Sequence, residues 1–145
     1  MSRVFVVQDQ RKRDKKSGEL VSKFDLSSAE KYGEIIYCLT PTARPFASEH
    51  VIAGLTRVLR DFGDDDWLLL IGNPCLIGFA VSIASWANGG RVRLLQWDGM
   101  DYSYREIKAI LPTEPSAASL LEMPEISDET HRRIPGTGLL ADKKS

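Results

Sequence analysis

The segment Gly72-Asn73-Pro74-Cys75 puts a turn glycine, a capping asparagine, a proline and a thiol at the entry to an apolar run. Asn can accept hydrogen bonds from first-turn amides, and Pro at the first helical position gives up none. Such an entry presents free amides and a positive dipole end, which is in principle an anion site. Cys75 falls just inside it, where the dipole can lower a thiol pKa and create a nucleophile. Its helpers are missing. A phosphatase-like CxxxxxR spacing needs arginine where Val81 stands, and His50 and His131 fall in an amphipathic helix and in the C-terminal region. No P-loop, GxGxxG or GxSxG pattern occurs. A capped turn and a structural cysteine are therefore the simpler accounts. A second set of polar groups, Thr40, Thr42 and Arg44, lies in the loop Thr40–Ala47, where Pro41 and Pro45 keep the chain extended. Thr40, Thr42, Arg44, Gly72, Asn73 and Cys75 are the candidate ligand-binding residues.

Two charge runs come next. Arg11, Lys12, Arg13, Lys15 and Lys16 place five positive charges in six positions, a candidate contact for phosphates or an acidic partner. A solvated edge loop that discourages strand-to-strand aggregation is the simpler account. Asp64-Asp65-Asp66 suggests a metal, but adjacent carboxylates cannot all face one ion, and a solvated turn is expected. Cys38 and Cys75 lack CxxC or Cys/His spacing, so neither a metal site nor a disulfide framework is expected. No cofactor is expected either.

The elements that must position these groups follow from period and propensity. Trp67–Ile71 is a continuous apolar run suited to a central strand covered on both faces. Leu76–Ala87 is apolar on nearly every side and predicts a deeply buried helix, which Asn88-Gly89-Gly90 ends in a left-handed cap. Val92, Leu94 and Leu95 resume a strand, completing a βαβ unit with parallel strands. Val4–Gln8 and Glu19–Phe24 read as a β-hairpin with the basic run at its tip. Asp25–Gly33 reads as one or two capped helical turns and Glu34–Leu39 as a buried strand. Val51, Ile52, Leu55, Val58, Leu59 and Phe62 form a one-sided helical stripe opened by Ser48-Glu49. Tyr104–Leu111 alternates, as a closing antiparallel strand does. Tyr32, Tyr37, Trp67, Trp86 and Trp97 fall inside elements and read as core.

The fold class is thus α/β: a small two- or three-layer mixed sheet with two right-handed βαβ crossovers, an N-terminal β-hairpin and an antiparallel C-terminal edge strand. A single domain over 1–111 and a flexible tail over 112–145 are expected, the tail from its Pro, Ser, Glu and Thr content. With 19 basic and 20 acidic residues, net charge −1, no global field draws the chain to nucleic acid or an anionic membrane. The opening Met1-Ser2-Arg3-Val4 lacks a signal-peptide layout, and no apolar stretch is long enough to span a bilayer, so the bacterial cytoplasm is the expected location.

Val6-Val7-Gln8, Asp25-Leu26-Ser27 with Ala29-Glu30 and Gly33-Glu34, Gly72-Asn73-Pro74, Asn88-Gly89-Gly90-Arg91 and Leu94-Leu95-Gln96-Trp97-Asp98 together resemble a family of short uncharacterised proteins of bacteriophages and prophages. The resemblance covers residues 4–111, departs at Asn73, where that family carries aspartate, and implies a source without implying an activity. The expectation is a phage-type accessory protein, a non-enzymatic binding module for a host or viral macromolecule. The partner would be a host or phage protein, another copy of the chain, or nucleic acid at the basic tip. Two alternatives stand beside it: a nucleotide- or anion-binding protein or enzyme using the strand-end crevice, and a virion or assembly component.

Overall fold

The computed structural model describes residues 1–114, of which Met1–Thr113 form one unit. The strands β1 (Arg3–Gln8), β4 (Glu34–Leu39), β5 (Trp67–Leu69), β6 (Arg91–Asp98) and β7 (Ser103–Ile110) make one sheet in the order β4-β1-β5-β6-β7. The first four run parallel, and β7 closes the edge antiparallel to β6, from Arg91 opposite Ile110 to Asp98 opposite Ser103. The helices α1 (Ser48–Leu59) and α2 (Pro74–Ala87) connect β4 to β5 and β5 to β6. A 3-10 helix, Ser27–Tyr32, lies between the N-terminal strands and β4. The expected tail lies outside the described residues from position 115 on.

Each face of the sheet has its own apolar cluster. Phe5, Val7, Leu68 and Val92 meet Val51, Leu55 and Leu59 of α1 and Leu76, Ala80 and Ala84 of α2. On the other face Val4, Val6, Leu69 and Leu95 pack with Trp67, Tyr104 and Ala29 of the 3-10 helix. This explains the unbroken run Val4-Phe5-Val6-Val7: a strand covered on both faces needs no polar alternation. The run is the second strand of the sheet, paired on one side with β4 and on the other with β5.

Four expectations are corrected here. The N-terminal hairpin exists, but its strands are β2 (Arg11–Arg13) and β3 (Leu20–Ser22), which form a separate two-stranded ribbon. The 4–8 run belongs to the main sheet instead. The strands ending at Leu39 and near Ile71 are not neighbours, because β1 lies between them. The helix α2 is buried along one stripe only, Leu76, Ala80, Ala84 and Ser85, while Cys75, Gly78, Ser82 and Trp86 face outward. The sheet and α1 cover two sides of α2, and on the third Gly78, Ser82 and Trp86 line an open hollow with Leu111, Pro112 and Thr113. Trp86 is 73% exposed, Trp97 44% and Tyr37 40%, so of the three tryptophans only Trp67 is core.

The acidic run divides between two environments. Asp66 is buried and accepts from Arg3 Nε at 3.0 Å, from Arg3 Nη2 at 2.7 Å and from the Gly63 amide at 2.8 Å. Asp64 is exposed and accepts from Asn88 and Arg91.

Candidate functional site

The carboxyl ends of the parallel strands carry the loops that could hold a ligand. The chain leaves β1 toward β4 on one side and β5 toward β6 on the other, so the direction of winding reverses between β1 and β5. Open α/β sheets bind ligands at such a reversal. Its floor consists of Gln8-Asp9-Gln10 and Ile71-Gly72-Asn73.

Gln8 decides how this edge is built. It is 4% exposed, and its amide nitrogen donates to the carbonyls of Ala43 at 3.1 Å, Thr40 at 3.3 Å and Pro41 at 3.4 Å. Its amide oxygen accepts from the Asn73 amide at 3.0 Å. The loop from Thr40 and the turn at Gly72 thus rise from one sheet edge as expected, yet the space between them is bridged by Gln8. A Cβ on Gly72, at φ 145°, would meet Gln8 Cβ at 2.9 Å, so glycine is required for that bridge. Asn73 caps α2 by accepting from the Cys75 amide at 2.9 Å. Two of the amides that an anion would use are therefore already bonded.

The other expected residues are placed as follows. The Thr40 and Thr42 hydroxyls lie 3.1 Å apart, and Arg44 is exposed with its guanidinium 5.8 Å from the Phe46 ring centre. Cys75 is exposed, whereas burial pushes the Cys38 thiol up to about 12, away from nucleophile chemistry. Among the described residues no cluster of His, Cys, Asp or Glu is placed to hold a metal, and no helix is long and apolar enough to cross a membrane.

An open space lies at the same edge. A pocket of about 420 Å³ is walled by Phe24, Trp97 and Tyr104 and floored by Leu70, Ile71 and Gly72. Gln10, Lys23, Asp25 and Ser28 supply its polar groups. Gln10 comes from the segment between β1 and β2, Lys23 and Asp25 from the loop after β3, and Ser28 from the 3-10 helix. Asp25 accepts from the Ser27 amide at 2.9 Å, a turn that opens the 3-10 helix and holds the carboxyl below its ordinary range. Trp97 and Tyr104 sit opposite each other in the β6–β7 ladder, their rings 5.1 Å apart and edge to face. Tyr104 is 7% exposed and its hydroxyl has no hydrogen-bond partner among the described residues; burial, with Asp25 nearby, raises its pKa. Beyond the pocket the β6–β7 turn exposes Met100 and Tyr102, the latter packed edge-on against Trp97. Of the residues expected from sequence only Gly72 lines this pocket. The rest were hidden because they come from segments far apart in the chain, with no spacing to mark them.

The ribbon β2–β3 stands at the rim. The Lys23 amide donates to the Gln10 carbonyl at 2.8 Å, so the two residues that close the ribbon also line the pocket. Arg11 pairs with Asp9 at 2.9 Å, and Arg13 donates to the Gly18 carbonyl. Lys12, Lys15 and Lys16 are exposed and form no ion pair among the described residues.

Fold and site together define an α/β module with an aromatic-walled pocket at its topological reversal and a basic ribbon beside it. The chain belongs to the phage Pam3 gp32-like protein family, whose family model matches residues 2–111. Neither a curated protein nor a solved structure matches it.

Proposed function

We propose that this member of a phage protein family is a non-enzymatic binding module that docks a macromolecule in the host cytoplasm through the carboxyl edge of its sheet. The observation that supports this reading is the pocket of about 420 Å³ with three aromatic walls, continued outward by exposed Trp97, Met100 and Tyr102. Exposed aromatic groups around a concavity are typical of the anchoring centre of an interface. The crevice between Thr40–Ala47 and Gly72-Asn73, by contrast, is spanned by Gln8 and leaves an anion little room.

Ser28 is exposed and lines the pocket, so Ser28→Trp fills the space without disturbing the core. Full-length protein immobilised and passed over lysate of infected cells should retain a partner that Ser28→Trp loses and Arg57→Ala keeps. Retention unaffected by Ser28→Trp would place the binding surface elsewhere and overturn the reading.

A further inference from the structure

We infer that the macromolecule is a single-stranded nucleic acid, its backbone lying along the β2–β3 ribbon and one unpaired base entering the pocket of Phe24, Trp97 and Tyr104. The inference rests on the reading that the carboxyl edge is a binding surface, and it names the class of partner.

Four observations carry it. The ribbon segment 11–23 holds six basic and two acidic residues in a chain whose net charge is −1, so the positive charge is concentrated there and the remainder of the molecule is acidic. Much of that charge, at Lys12, Lys15 and Lys16, also has no ion pair within the ribbon among the described residues. All of β2 is exposed, β3 is exposed except for half-buried Val21, and the two strands pair only with each other. Edge protection, the simpler account of the basic run, engages only part of it: Lys12 and Val21 line a hollow with Tyr37 of the edge strand β4, whereas Lys15 and Lys16 lie in the ribbon's turn. An isolated two-stranded ribbon is marginal by itself, and its lysines at 12, 15 and 16 are unpaired among the described residues.

The third observation is continuity. Gln10 and Lys23 close the ribbon and line the pocket, so the cations of β2, extended for about 10 Å over Arg11–Arg13, begin at the pocket's mouth and continue into Lys15 and Lys16 of the turn beyond. The fourth is the chemistry inside the pocket. Ring faces accept any base by stacking, and a base edge carries the donors and acceptors that Asp25, Ser28, Gln10 and the Tyr104 hydroxyl, which has no partner among the described residues, can meet. An acidic protein segment would also satisfy the ribbon, and polyglutamate stands for it in the test below. A duplex would satisfy the ribbon too, but its bases are stacked inside and unavailable to a pocket without the cost of flipping one out.

The test is fluorescence anisotropy of the full chain with a labelled single strand of about 12 nucleotides, the same strand annealed to its complement, and polyglutamate as competitor. The single strand should bind at least about tenfold more tightly than the duplex, the difference that base stacking in the pocket supplies. Raising salt from about 50 to about 200 mM should weaken binding on the order of 50-fold if about four phosphates are contacted. The triple variant Lys12→Glu, Lys15→Glu, Lys16→Glu should lose most of the affinity and flatten that salt dependence. Trp97→Ala should weaken the single strand about tenfold and leave the duplex unchanged. Phe24→Ala, in an exposed loop, repeats that arm without risk to the sheet. No binding of the single strand at low salt overturns the inference. So does equal binding of strand and duplex with both aromatic variants silent, or displacement by polyglutamate at an equal charge concentration. None of these results touches the retention experiment with Ser28→Trp, so failure of the nucleic-acid assignment is separable from failure of the binding reading.

Discussion

At the residue scale, two buried polar side chains hold positions that no apolar residue could fill. Asp66 gathers Arg3 and the Gly63 amide, which joins the start of β1 to the turn before β5. These are neighbouring strands with more than 60 residues between the partners, since Arg3 and Asp66 are 63 apart. Gln8 does the same at the other end of β1, where one amide satisfies carbonyls of the loop after β4 and an amide at the start of α2. Replacing Gln8 by Leu keeps the size and removes every one of those bonds. Backbone groups left buried without partners carry their full desolvation cost, so Gln8→Leu should lose about 2–3 kcal/mol in chemical denaturation. Arg57→Ala, on the solvent side of α1, should lose under about 0.5 kcal/mol. A Gln8 variant as mild as the Arg57 one would mean that the loop and the turn are held by other contacts.

At the scale of elements, α2 offers a comparison within one helix. Ala84 is fully buried between the sheet and α1, whereas a Cβ added at Gly78 meets no atom within 4 Å. Ala84→Leu should therefore cost about 1–3 kcal/mol through overpacking. Gly78→Ala should gain about 0.5–1 kcal/mol, because it removes backbone freedom from the unfolded chain and meets open space in the folded one. Denaturation midpoints that move in the same direction for both would contradict the one-sided burial of α2. That one-sidedness was not legible in the sequence, since Leu76–Ala87 is apolar all round and period alone cannot say how many sides find a partner. The unit β5-α2-β6 was legible because its signals are local: an unbroken apolar run, Asn73 and Pro74 at the helix entry, Gly89 and Gly90 at its exit. The place of β1 was not, because Val4–Val7 and Trp67–Ile71 look alike and nothing local says that the first inserts between β4 and β5. Nearness in sequence favoured a hairpin that the chain makes only from Arg11, three residues after β1 ends at Gln8. The pocket was hidden for a related reason: its walls Phe24, Trp97 and Tyr104 converge only once β6 and β7 pair and the 3-10 helix covers that face.

At the scale of the whole molecule, charge is divided rather than balanced. The basic ribbon projects from a body that is acidic, and much of that acidity is tied into the surface by hydrogen bonds. Asp98 is held below its ordinary value first by Arg105 and then by the Met100 amide. Asp64 is lowered by Asn88 and Arg91 and Asp25 by Ser27, and within the ribbon Asp14 is lowered by Ser17 and the Lys16 amide. The sign of the consequence follows from linkage. A carboxyl whose folded pKa lies below its unfolded value binds its proton more readily in the unfolded chain, so its contribution is complete above the unfolded value of 3.8 and is lost as the pH falls through the folded one. The four act in the same direction, and protonation also leaves the basic ribbon within an increasingly cationic molecule, which adds self-repulsion. The thermal midpoint should therefore stay level from neutrality down to about pH 5 and fall steadily between about pH 4 and pH 2. Asp98→Asn should lower the midpoint at neutral pH and make the acid limb shallower, because the variant has one proton fewer to take up on unfolding. Asp65→Asn, exposed and free of ion pairs among the described residues, should leave both unchanged. An acid limb that begins near neutrality would point instead to a histidine or another group titrating there, and a limb identical in wild type and Asp98→Asn would show that the Arg105 contact at the β6–β7 turn is too solvated to matter. The second result would also bear on the pocket, since that contact fixes the turn carrying Trp97, Met100 and Tyr102.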